Sequence, residues 1–125
     1  LKESTIITLT NDSTQDIKTL RIWLQEDFNF ESFKTEKGWI GEKNQQGVII
    51  FTSSETIKIG ESVKFGIKTD KVNPVINWKA VNEKDEVIEK GITEYRGNIP
   101  TVTQNPDLKN NETKFFYRST YFIII

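Results

Sequence analysis

The feature that most constrains this chain is a period of two. Val63, Phe65 and Ile67 alternate with Lys64, Gly66 and Lys68. Successive side chains of a strand point to opposite faces, so this segment reads as a strand with one buried and one wet face. Leu20, Ile22 and Leu24 alternate with Arg21 and Trp23 in the same way. Other β-rich segments are Ser4–Thr10, Phe30–Phe33 with a bulge near Ser32, Val48–Thr52, Ile57–Ile59, Val75–Asn82, Glu86–Lys90 and Lys114–Ile125. The run Val48-Ile49-Ile50-Phe51 is apolar at every position and reads as a strand buried on both faces.

Turn residues separate these segments. They include Asn11-Asp12-Ser13, the glycines on either side of Trp39-Ile40, Gly60-Glu61, Asn73-Pro74 and Asn82-Glu83-Lys84-Asp85. Residues 96–114, with Gly97, Pro100 and Pro106, read as the longest loop or linker. No segment has a convincing helical period. The expected fold is an all-β, immunoglobulin-like sandwich of seven to nine strands spanning residues 1–125 as one domain. Leu20, Ile22, Leu24, Ile50, Val63, Phe65, Ile67, Ile76 and Trp78 are its expected core.

Composition removes most chemistry. The chain has no histidine, cysteine or methionine. It therefore lacks a neutral-pH proton shuttle, a thiolate nucleophile and soft or imidazole metal ligands. Carboxylates are plentiful, but none forms a recognisable catalytic pair. Asp12, Asp16, Glu26 and Asp27 have no cation-loop spacing and read as turn residues and solvated charge. The expectation is a non-enzyme with no cofactor. Seventeen basic and eighteen acidic residues leave a net charge of −1, which argues against nucleic acid as a partner. No stretch approaches the ~20 apolar residues of a membrane-spanning helix, so no membrane insertion is expected. The chain opens on Leu1 rather than Met, which we read as processing of an exported protein.

Several residues stand out as contact candidates. Trp23 shares a strand face with Arg21 and is the best exposed candidate; Trp39, set between glycines, reads either as a plug of the sandwich end or as a second contact residue. Flat apolar rings suit sugar faces or partner surfaces. Asn11-Asp12-Ser13 and Asn111-Glu112-Thr113 have the form of N-glycosylation acceptors at Asn11 and Asn111. The chain ends in Tyr121-Phe122-Ile123-Ile124-Ile125, apolar on both faces of a strand. Three readings fit this ending: a central strand of the same sandwich, a junction to a following domain, or a strand donated to a neighbouring subunit. In the donor reading Tyr121, Ile123 and Ile125 are the exchanged side chains, and Thr5, Ile7 and Leu9 form the equivalent set at the other end.

The stretch Leu9–Gly91 resembles a β-sandwich module of cell-surface and secreted proteins of ammonia-oxidising archaea. The matching segments are 9–11, 17–24, 30–41, 47–52, 60–70 and 76–80. A more distant resemblance is to the copper-associated extracytoplasmic domain of the YcnI type, which also places Gly-Trp between strands. The copper site of that domain relies on an N-terminal histidine, and this chain has none, so no metal role carries over. The resemblance implies an extracellular or cell-surface location and a role in adhesion, envelope structure or assembly. Its partners would be other protein subunits or neighbouring domains of the same chain, and glycans. The alternatives are a pilus-like filament subunit joined by donor-strand exchange and a carbohydrate-binding module.

Overall fold

The computed structural model describes residues 3–94 and 118–125. Nine strands run in chain order: β1 Glu3–Thr10, β2 Ile17–Leu24, β3 Phe30–Thr35, β4 Trp39–Lys43, β5 Ile49–Ile57, β6 Ser62–Thr69, β7 Ile76–Val81, β8 Val87–Thr93 and β9 Arg118–Ile124. They form a four-stranded sheet ordered β3-β6-β1-β9 and a five-stranded sheet ordered β4-β5-β2-β7-β8. All pairings are antiparallel except β1 with β9, which is parallel. The fold is an all-β, immunoglobulin-like sandwich, with no helix among the described residues.

Alternation builds the core. From the four-stranded sheet Ile7, Leu9, Phe65, Ile67, Tyr121 and Ile123 point inward; from the five-stranded sheet come Leu20, Ile22, Ile49, Phe51, Ile76 and Trp78. An aromatic cluster joins the two layers. Phe51 of β5 stacks on Phe65 of β6 at 4.4 Å between ring centroids. Phe33 meets Phe51 edge-on at 5.9 Å, and Trp39 meets Phe65 edge-on at 5.1 Å. Two glycines make room for such rings: a Cβ on Gly41 would lie 2.6 Å from the Phe33 ring, and one on Gly91 2.6 Å from the Trp78 ring.

The expected core needs one correction. Ile50 is only half-buried and points to the outer face, while its neighbours Ile49 and Phe51 point inward. An unbroken apolar run gives no phase, and the cross-strand pairing Arg21↔Ile50 puts Ile50 beside a charged residue. The Val48–Phe51 run is therefore not buried on both faces. Leu24 and Val63 are half-buried at the rim of the core. The bulge near Ser32 is present, as a register shift between Phe30 and Ser32 against β6. The expected short strand at Ile57–Ile59 is instead the end of one long strand, β5, followed by a turn at Gly60, whose φ is +90°. The expected 96–114 loop lies outside the described residues.

Three asparagines organise the turns, each accepting at Oδ1 from backbone groups of its own loop. Asn44 Oδ1 accepts from Gln46 N and Val48 N, and Asn82 Oδ1 from Lys84 N and Glu86 N. Asn11 Oδ1 accepts from Ser13 N and Ser13 Oγ. Asn11 differs from the other two in being fully buried.

Candidate functional site

The outer face of the five-stranded sheet holds a groove of about 590 Å³. Its floor is β2 and its neighbours. Arg21, Trp23, Ile50 and Lys79 line it from the strands, and Gln25, Asn44 and Val48 from the turns at one end. Trp23 follows Arg21 by two residues on the same strand face, about 7 Å along β2. Beyond it the turn after β2 contributes Glu26 and Asp27.

The register sets the charges. Arg21 pairs with Lys79 across β2 and β7, and Lys79 pairs with Lys90 across β7 and β8. Three cations therefore sit on three adjacent strands in one row, about 5 Å from strand to strand. Like charges directly opposite each other destabilise a sheet. The described acids offset this only weakly. Asp85, at the tip of the β7–β8 hairpin, lies 3.8 Å from Arg21 Nη2, and an exposed pair of that kind is worth less than about 1 kcal/mol. Neither Lys79 nor Lys90 forms a salt bridge with a described carboxylate. Arg21 Nε is shielded from solvent and has no acceptor among the described residues.

In the turn after β2 Asn29 is held by Asp70, which accepts from Asn29 N at 2.8 Å and Asn29 Nδ2 at 3.0 Å. The backbone bond, followed by the side-chain bond, holds its carboxyl below the usual 3.8. Lys71 Nζ donates to the Asp27 carbonyl and lies 5.4 Å from the centroid of the Phe28 ring. These contacts brace the turn that closes the groove.

The residues singled out from sequence fare differently. Trp23 lines the groove and is half-buried. Trp39 is not a surface ring: it is 8% exposed and packed against Phe65, because its strand phase turns it inward. Asn11 is not presented as a glycan acceptor in the folded domain. Its Nδ2 donates to Gln15 O and Ile57 O, both at 2.8 Å, and is committed to those bonds. Asn111 lies outside the described residues.

Thr5, Ile7, Leu9, Tyr121, Ile123 and Ile125 are all buried within this chain's own sandwich. β1 runs between β6 and β9, with Ile7 opposite Tyr121 and Leu9 opposite Ile123. Tyr121 Oη donates to Pro74 O at 2.6 Å, and Ile125 exchanges backbone bonds with Thr10 and Asp12. In the single chain the two ends thus complete their own sheet instead of lying outside it. Asp12 and Asp16 precede β2 while Glu26 and Asp27 follow it, which separates the two acidic pairs by roughly 25 Å.

Sequence reasoning found Trp23 and its neighbour Arg21. It missed Lys79 and Lys90, because only the pairing of β2, β7 and β8 brings the three cations into one row.

No family model matches the chain, and no curated protein is detectably similar to it. The resemblance to archaeal surface modules and to the YcnI-type domain therefore rests on the sequence motifs alone. Among solved structures, an uncharacterized protein from Nocardia farcinica, described as having an immunoglobulin-like fold, is 10% identical over 94% of this chain and 83% of that chain, with a TM-score of 0.47. A likeness of that size says nothing about function.

Proposed function

We propose that this domain is a non-catalytic binding module, displayed outside the cell on a surface or envelope protein, and that it works through the outer face of its five-stranded sheet. The observation that carries the reading is the groove around Trp23, where a half-buried ring lies next to cations and side-chain amides. Such a surface offers stacking and hydrogen bonds on a scaffold held rigid by the aromatic core behind it. The sequence has no histidine or cysteine and no recognisable catalytic carboxylate pair, which favours binding over catalysis. Adhesion or envelope association is the corresponding role, in keeping with the archaeal surface modules that the sequence resembles.

The test is a glycan and extracellular-polymer array probed with the tagged domain. Retained ligands should lose at least tenfold in signal with Trp23→Ala, while Ile40→Ala, an exposed change on the edge strand β4 of the same sheet, should leave binding intact. An array with no ligand sensitive to Trp23→Ala overturns the reading.

A second reading, a filament subunit joined by strand exchange, is favoured by one observation. β9 is an edge strand that fills its slot beside β1 with alternate buried side chains, and a long segment, residues 94–117, separates it from β8. The same slot would accept β9 from a second copy. Here the expected result is concentration-dependent oligomers that are lost when Ile123→Asp blocks insertion and that an excess of a peptide of residues 118–125 disperses in the parent chain by occupying the slot. A monomer at every concentration rules the reading out.

A further inference from the structure

We infer that the groove on the five-stranded sheet is a site for an acidic polysaccharide, one bearing carboxylates along its chain. The inference rests on the binding-module reading above and specifies its ligand.

The donor inventory of the groove is one-sided. Gln25 Oε1 accepts from Val75 N, which leaves its Nε2 as a donor. Both bonds of the Asn44 side chain are received at Oδ1, which leaves its Nδ2 in the same state. Arg21 Nε has no acceptor, and Lys79 Nζ has none among the described residues. The Gln25 and Asn44 amides and the Lys79 ammonium, at the accessible rim of one groove, have no acceptors in the described chain, and a ligand rich in acceptors would match them. Hydroxyls and carboxylates supply them. The half-buried Trp23 ring lies among these donors and offers an apolar face for a pyranose ring.

The row Arg21, Lys79, Lys90 selects for charge. The fold accepts like charges in direct opposition across three strands, a cost that a bound anion would remove. Strand spacing places those charges about 5 Å apart, which suits an anion repeated once per sugar ring. A lone phosphate or carboxylate would use one cation and leave Trp23 and the amides idle. The carboxylates near the row lie away from its Lys79–Lys90 side: Glu42 across Ile50 on the far side of Arg21, Glu26 and Asp27 beyond Trp23, and Asp85 loosely on Arg21. They leave the Lys79–Lys90 side of the row uncompensated. An acidic peptide would satisfy the cations but has no flat ring face for Trp23.

The experiment titrates the full chain with a hexuronic-acid oligomer, a neutral oligosaccharide of equal length and poly-glutamate, following tryptophan fluorescence. Trp39 and Trp78 are buried, so a change in emission reports chiefly on Trp23. The acidic oligomer should bind saturably and at least tenfold tighter than either competitor, and the binding should weaken as salt rises. Lys79→Gln with Lys90→Gln should weaken it at least tenfold without lowering Tm, and Trp23→Ala should abolish it. The lysine variant keeps the test decisive if Trp23→Ala fails to fold. Equal binding of the neutral oligosaccharide, or tighter binding of poly-glutamate, overturns the acidic-sugar inference. If the array yields a neutral ligand that depends on Trp23, this inference fails while the binding-module reading stands; if no Trp23-dependent ligand exists, both fail.

Discussion

Replacing Phe51 by alanine should destabilise the domain by about 3–5 kcal/mol. With a chain of this size, that corresponds to a drop in Tm on the order of 10–20 °C. The reason is position. Phe51 is fully buried, stacks on Phe65 across the inter-sheet gap and receives the edge of Phe33. Removing the ring opens a cavity between two layers that cannot close independently, because each is held by its own hydrogen-bonded ladder. The control is Ile50→Ala, one residue away and half-buried on the outer face, which should cost about 1 kcal/mol or less. Denaturant unfolding of both variants checks the phase of β5. Equal losses at the two positions would mean that the strand is buried on both faces after all.

Asn11→Asp is the second large effect. Asn11 receives two bonds at Oδ1 and gives two from Nδ2, to Gln15 O and Ile57 O. Its backbone N–H donates to Glu61 O, and its carbonyl accepts from Gly60 N. The residue thus pins the 11–16 turn to the turn after β5. An aspartate would keep the Oδ1 bonds and aim its second oxygen at two carbonyl oxygens, one of them buried. Loss of both bonds plus the repulsion should cost about 3 kcal/mol or more at neutral pH. The pH dependence identifies the cause. Burial beside carbonyl oxygens raises the folded-state pKa of the new carboxyl above its unfolded value. The variant's deficit should therefore be smallest below the ordinary aspartate pKa of ~3.9, where the group is protonated in both states, and should grow as pH rises through the folded value. A deficit independent of pH would point to packing rather than to these two bonds. In contrast, Asn82→Asp keeps the turn-forming Oδ1 bonds and loses the Nδ2 bonds to Gln15 Oε1 and Glu86 Oε1 at an exposed hairpin, where water takes their place, so its cost should be smaller than at Asn11.

What could be read from the residues follows from how much phase each segment contains. Val63-Lys64-Phe65-Gly66-Ile67-Lys68 marks its own faces, and its burial matches at Phe65 and Ile67, with Val63 at the rim. Val48-Ile49-Ile50-Phe51 contains no polar residue to mark the wet side, so the residues alone cannot tell Ile50, which faces outward, from Phe51, which faces the core. The Thr52–Ile57 half of β5 is rich in serine, threonine and glutamate, which resembles a turn until the pairing partner is known. Trp39 illustrates a related limit: glycines on either side leave open whether the ring plugs the sandwich end or faces a partner, and only the packing, in which Gly41 admits the Phe33 ring, shows it turned inward. Asn11 is legible as a turn residue, yet its burial depends on Ile57, forty-six positions away. The cation row is legible only at the level of register. Arg21, Lys79 and Lys90 look like ordinary surface charges until three strands are laid side by side.

The most direct test of the central claim, that the outer face of the five-stranded sheet is where this domain makes contact, is a map of amide chemical-shift changes on adding a bound oligosaccharide from the array. The expected result is a contiguous set of shifts along Arg21–Asn29, Asn44–Ile50 and Asn77–Lys79, absent in the Trp23→Ala variant. Shifts centred instead on β9 and the outer face of the four-stranded sheet, with the Trp23 region unmoved, would contradict it.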